Sequence, residues 1–180
     1  METDRRKEVI NICLDTFIKR GLSQTSVRDL SKALNLQSGG IYYYFNDKDD
    51  AVVACAEEAA MRLETNLILP ALKEIRDPDT MVSNLLLRSN EMRPTMRFFT
   101  SVCSLSKYEQ QVKPILIRMV ERFDRYSEKM AANVGCESGE VRPFLYMTVT
   151  AISNYMIFGE DSYIFPQMDI LRNAIVTLKR

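Results

Sequence analysis

Between Thr25 and Lys48 the chain gathers hydroxyls, backbone N–H groups and phenol rings at spacings suited to reading a nucleic acid rather than to breaking bonds. Thr25 and Ser26 stand where a helix can begin, so their hydroxyls and the free N–H groups behind them can meet a phosphate. The same hydroxyls can cap that helix, and the two uses coexist. Gln37, Ser38, Gly39 and Gly40 open a second short segment. The two glycines each cost about 1 kcal/mol of helix propensity; close approach of a duplex to the backbone accounts for them, and so does local flexibility. Tyr42, Tyr43 and Tyr44 offer hydroxyls to phosphates and rings to thymine methyls, and three neighbours cannot all face one core. Catalytic chemistry has little to work with. The chain has His 0, which removes Ser-His-Asp and Cys-His mechanisms and most catalytic zinc sites. No phosphate-cradling glycine loop is present, because Gly39-Gly40 alone is not one.

These groups need a frame of two short helices. Ser26 with Asp29 fits a capping box, after which Val27, Leu30, Ala33 and Leu34 share one helical face. Asn35 tolerates a left-handed backbone and suits a tight turn. A second helix is expected from Gln37 or Ser38 to Phe45, with Leu36, Ile41 and Phe45 inward. Helix, tight turn and helix make a helix-turn-helix, whose second helix enters a major groove. An amphipathic helix over residues 4–20 precedes it, with Val9, Ile10, Cys13, Leu14, Phe17 and Ile18 at the helical period and Gly21 as its stop.

Residues 9–55 resemble the DNA-binding domain of the TetR (tetracycline-repressor-like) family. The run Thr25-Ser26-Val27-Arg28-Asp29-Leu30 and the run from Gly39 through Tyr42-Tyr43-Tyr44-Phe45 to Lys48 carry the likeness, with the family's spacing throughout. Gly40 stands where Thr is usual, Tyr44 where His is usual and Asn35 where Gly is usual; these departures bear on the DNA sequence read more than on the fold. The resemblance implies that Arg28 reaches a base edge or phosphate and that Lys48 contacts a phosphate. It also implies an N-terminal helix that supports the two shorter ones, and a connecting helix that moves when a ligand binds. The expected division is 1–47 for DNA binding and 48–180 for a helical ligand-binding and dimerisation domain.

The rest of the chain reads as helical. The connecting helix runs from about Asp47 to Leu69, and Pro70 marks a boundary or kink. Shorter segments follow at 71–76, 79–90, 94–106 and 112–133, then 142–158 and 166–178, for about nine helices and an all-α fold. The resemblance implies a small-molecule pocket in this part, and Phe98, Met119, Phe123, Tyr126 and Tyr155 are candidates for lining it, although such apolar stripes are more often core. Residues 144–158 are apolar all round, so the helix needs cover on every side. Phe144, Met147, Ile152, Leu171, Ile175 and Leu178 are therefore candidates for a homodimer interface, built as a four-helix bundle about a two-fold axis.

Charge adds little. The whole chain has a net charge of +0, and residues 1–46 hold 7 basic against 5 acidic side chains, which is only weakly basic. The four cysteines, Cys13, Cys55, Cys103 and Cys136, have no metal-binding spacing. No secretory or membrane-spanning run is seen, and a cytoplasmic location is expected. The expected function is a homodimeric repressor on near-palindromic operator DNA, released by a small-molecule effector, with no cofactor and no membrane partner. Control by a protein partner or by thiol oxidation is the alternative, and a helical interaction protein that has lost DNA binding is a second.

Overall fold

The computed structural model describes residues 2–37 and 39–178, the side chains of Glu2, Thr3, Val134, Asp161 and Leu178 apart. The fold is all-helical: α1 (Glu2–Arg20), α2 (Val27–Ala33), a 3-10 turn (Gly40–Tyr43), α3 (Lys48–Leu63), a π turn (Glu64–Ile68), α4 (Leu69–Glu74), α5 (Pro78–Cys103), a second 3-10 turn (Ser106–Tyr108), α6 (Glu109–Val134), α7 (Ser138–Phe158) and α8 (Asp161–Leu178). The chain divides into two compact units, one running to Arg62 and including Arg97–Ile115, the other holding Leu63–Met96 and Leu116 onward.

The core of the first unit follows from the apolar period of α1. Val9, Cys13, Leu14 and Phe17 are buried, as are Leu30 and Leu34 of α2 and Val52, Cys55 and Ala56 of α3. Phe17 stacks on Phe98 with ring centroids 5.8 Å apart. Arg62 binds α1 from outside the core, donating to Asp15 Oδ1 at 2.6 Å and to Asn11 Oδ1 at 2.6 Å. Gly21 ends α1 at φ 90°, a left-handed stop that a β-carbon resists.

In the second unit α7 and α8 pack on one another. Val141, Leu145, Ile152, Met156, Ile164, Met168, Leu171 and Ile175 are buried there. Glu74 joins α4 to α5, accepting two hydrogen bonds from Arg88 at 2.8 and 2.6 Å. Glu64, the first residue of the π turn, accepts from Arg122 and from the Tyr126 hydroxyl of α6. Gly159 ends α7 at φ 81°. A side chain there would also strike Arg93, since an added β-carbon lies 2.5 Å from its Nη1.

Several boundaries differ from the sequence reading, among them the starts of α7 and α8, at Ser138 and Asp161 rather than 142 and 166, with Pro143 and Pro166 inside them. Pro70 does not end the connecting helix; the chain passes from α3 through a π turn, with Leu69 N–H bonded to the Glu64 carbonyl, into α4 with proline in its first turn. Pro70 has no N–H with which to continue that ladder, and the wider spacing of the π turn stands just before it. Residues 79–90 and 94–106 are one helix, α5, with Pro94 inside it. Thr95, Met96, Phe98 and Phe99, just beyond that proline, are all buried, and packing offsets the lost bond. The segment expected from Gln37 to Phe45 is a four-residue 3-10 turn rather than an α-helix.

Candidate nucleic-acid interface

The site begins at a helix start. Ser26 Oγ accepts the Asp29 N–H at 3.2 Å, and Asp29 Oδ2 accepts the Ser26 N–H at 2.9 Å and its hydroxyl at 2.6 Å. The box is complete, and Arg20 adds an ion pair to Asp29 at 3.1 Å. The Ser26 hydroxyl, then its N–H, hold the Asp29 carboxyl below its usual range. Asn35 takes the left-handed conformation at φ 53°. Leu36 N–H then bonds back to the Ser31 carbonyl at 2.9 Å, so the chain reverses directly after α2.

The turn that follows is tighter than an α-helix because its bonds skip fewer residues. Gly40 N–H meets the Gln37 carbonyl at 2.8 Å, and Tyr44 N–H meets the Ile41 carbonyl at 2.9 Å. Both span three residues. Its apolar residues face inward, with Ile41 and Phe45 only 3% and 2% exposed. Tyr42 and Tyr43 face water at 56% and 75%, while Tyr44 is half-buried and meets Tyr43 edge-on with centroids 5.1 Å apart.

Other candidates fall in different places. Thr25 is buried at 1% and its hydroxyl donates to the Gly21 carbonyl at 2.7 Å, so it ties the connection into α2 rather than facing outward. Arg28, Gln37 and Gly39 are exposed, and Gly40 is half-buried against Leu36. Lys48 is half-buried, its ammonium donating to the Leu22 carbonyl at 3.0 Å. Ser38 lies outside the described residues.

Two contributors were not read from the sequence. Arg6 of α1 donates to the Tyr44 carbonyl at 2.9 Å and sits 5.7 Å from the centre of the Phe45 ring. It thus holds the short turn from 38 residues away. The only sequence signal was the cluster Arg5-Arg6-Lys7, which names no partner. Asp50 accepts from Asn46 through N–H at 2.9 Å and Nδ2 at 3.0 Å, fixing the exit into α3. Arg6, Tyr42 through Asn46 and Asp50 line an open cleft of about 360 Å³.

The pocket candidates fall in both units. Phe98 belongs to the first unit, stacked on Phe17. In the second unit Phe123 meets Tyr126 and Tyr146 edge-on or tilted, at 6.2 and 5.9 Å, and Met119 lies one turn before it on α6. Tyr155 is apart from these contacts, its hydroxyl donating to Asn90 Oδ1 at 3.1 Å under the Arg93 guanidinium.

The interface candidates divide as well. Ile152, Leu171 and Ile175 are 3%, 6% and 1% exposed, covered by their own chain, so they are core of the second unit and not free for a partner. Phe144 is half-buried, Met147 is 64% exposed, and the Leu178 side chain lies outside the described residues. The open apolar side chains of α7 and α8 are Met147, Phe158, Tyr163, Phe165, Ile170 and Val176. Among the described residues no cluster of three metal-binding side chains occurs, and no helix is long and apolar enough to cross a membrane.

The geometry agrees with comparisons to known proteins. The sequence profile of bacterial regulatory proteins of the tetR family matches residues 14–55. The transcriptional repressor KstR2 of Rhodococcus jostii (strain RHA1) is 37% identical over 51 residues, 28% of this chain and 25% of that protein. The transcriptional regulator AcrR of Shigella flexneri is 34% identical over 47 residues, 26% of this chain and 22% of that protein. These matches thus span about a quarter of the length of either relative. The TetR family transcriptional regulator PfmR of Thermus thermophilus has a similar structure at TM-score 0.55 and 20% identity, covering 96% of this chain and 97% of PfmR. A Pseudomonas aeruginosa PAO1 protein of known structure gives TM-score 0.61 at 13% identity, covering 99% of this chain and 92% of the other. Those two likenesses establish the fold alone. The likeness to the tetR family of bacterial regulatory proteins thus lies in residues 14–55, the segment that holds α2 and the short turn after it.

Proposed function

We propose that the protein is a DNA-binding transcriptional regulator, a homodimeric repressor that leaves a near-palindromic operator when a small molecule binds. The observation that carries this reading is the outward pair Tyr42 and Tyr43 on a turn anchored by buried Ile41 and Phe45, inside the family-matched segment. Tyr42, Tyr43, Arg28 and Gln37 supply hydroxyl, ring, guanidinium and amide groups for bases and phosphates, and the Ser26 end of α2 supplies N–H groups for a phosphate. KstR2, among the relatives, is a repressor by name. Two copies joined through the open apolar face of α7 and α8 would set two recognition turns on one side of a duplex, about 34 Å apart. An effector acts by binding better to the conformation that does not fit DNA, and its differential affinity sets the response.

Thiol oxidation is the weaker trigger. Burial pushes Cys13 up to about 12 and Cys55 well above its ordinary value, and burial also raises Cys103 and Cys136. Each shift lowers the thiolate fraction on which oxidation depends. The test is a mobility shift with DNA flanking the protein's own gene. Retention of that DNA by the unmutated protein, weakened by Tyr42→Ala, is expected; no retention of any fragment overturns the reading.

A further inference from the structure

The first turn of α3 poses an electrostatic problem for a surface meant to meet phosphates. Asp47, Asp49 and Asp50 surround Lys48 there. Two of the three carboxylates are engaged locally: Asp47 Oδ1 accepts the Asp50 N–H at 2.8 Å, and Asp50 Oδ2 accepts both Asn46 donors. Asp49 is met instead from far along the chain. Its Oδ1 accepts the Tyr108 hydroxyl at 2.6 Å and the Lys107 ammonium at 2.8 Å.

The 3-10 turn Ser106–Tyr108 between α5 and α6 delivers both donors. The Tyr108 ring is buried at 2%, which fixes its hydroxyl beneath Asp49. Lys107 lies across that ring, its nitrogen 4.4 Å from the ring centre. The Lys107 and Asp49 side chains are nevertheless 55% and 54% exposed, so the pair stays on the surface.

We propose that Lys107 is a positioning residue for DNA binding: held by Tyr108, it cancels the Asp49 charge beside Lys48, so that the start of α3 presents less negative charge to the phosphate backbone. This rests on the DNA-binding reading above. Lys107 then acts through Asp49, not by its own phosphate contact. One uncompensated charge about 10 Å from a phosphate weakens binding about two-fold in dilute salt, and several phosphates raise that to about five-fold. The effect fades as salt shortens the screening length below that distance.

The experiment uses the full-length protein and a duplex selected by the unmutated protein from a random-sequence library. Lys107→Gln is expected to weaken binding about two- to five-fold near 50 mM salt and to approach the unmutated value near 0.5 M. Asp49→Asn is expected to bind at least as tightly as the unmutated protein, and Lys107→Gln combined with Asp49→Asn to regain the affinity lost by Lys107→Gln. Tyr108→Phe keeps the ring and tests the hydroxyl alone; it is expected to weaken binding less than Lys107→Gln. Circular dichroism melts separate misfolding from lost affinity. A double variant as weak as Lys107→Gln, in a folded protein, overturns the proposal and makes Lys107 a direct phosphate contact. An unchanged affinity in Lys107→Gln overturns it too. If the unmutated protein selects no duplex, the DNA-binding reading fails and this proposal with it.

Discussion

Gly39→Ala separates the two explanations for a glycine at the start of the recognition turn. Gly39 has φ −101° and ψ −10°, a backbone that alanine adopts without strain. An added β-carbon there meets nothing within 4 Å. The substitution therefore changes little in the folded chain and removes freedom from the unfolded one, which stabilises by about 0.4–1 kcal/mol. For a chain of this size that is about 1–4 °C in melting temperature. Gly40→Ala serves as the control, because its added β-carbon would lie 3.1 Å from Leu36 Cβ and the turn must shift to accept it. Its gain should vanish or reverse. If a duplex approaches the Gly39 backbone, the new methyl group stands between them, and loss of one contact of about 1.4 kcal/mol lowers operator affinity ten-fold. Thermal melts and mobility shifts on the same preparations give both numbers. A Gly39→Ala protein no more stable than the original refutes the backbone argument. One that is more stable but binds with unchanged affinity refutes the close approach and leaves local flexibility as the reason for the glycine.

Ser26→Ala should cost about 1 kcal/mol in chemical denaturation, since it removes a cap and half of a reciprocal pair. Met147→Glu or Phe158→Glu should yield folded monomers by sedimentation, whereas Ile152→Asp, buried within the chain, should lose several kcal/mol and unfold; a dimer in the first two variants would rule out the open face as the interface. On acidification, Asp29, Asp49 and Glu74 have carboxyls lowered by hydrogen bonds from Ser26, Lys107 and Arg88 respectively. The stability they contribute is present in full above their unfolded values of about 3.8–4.5 and is lost as pH falls below those values through the lowered ones, so pH-dependent melts should show a steepening loss only in that acid range.

What the sequence made legible was local. The Ser26–Asp29 box, the left-handed Asn35 and the inward Ile41 and Phe45 each depend on residues within a few positions of one another. The outward tyrosine surface was readable for the same reason. Continuity through Pro94 was not, because packing of residues that a periodicity cannot place overrides the proline. Nor was the choice of face on α7 and α8. Leu171 and Ile175 are covered while Ile170 and Val176 are open, and neighbouring apolar residues carry no mark of which side the chain itself will cover. Arg6 on Tyr44 and Lys107 on Asp49 join positions 38 and 58 residues apart, a distance at which sequence names no partner.

The outward tyrosines also make the protein its own optical probe. With Trp 0 in the chain, phenol emission is not masked by energy transfer to an indole. Tyr108, Tyr126 and Tyr155 are enclosed, whereas Tyr42 and Tyr43 stand in water on the recognition turn. A mild nitrating reagent reaches that pair, and Tyr163 on α8 at 45% exposure, ahead of the enclosed rings, and a duplex bound as proposed shields the pair. Emission at the phenol wavelength and the order in which rings are modified then report occupancy of this surface without a dye, a tag or a substitution.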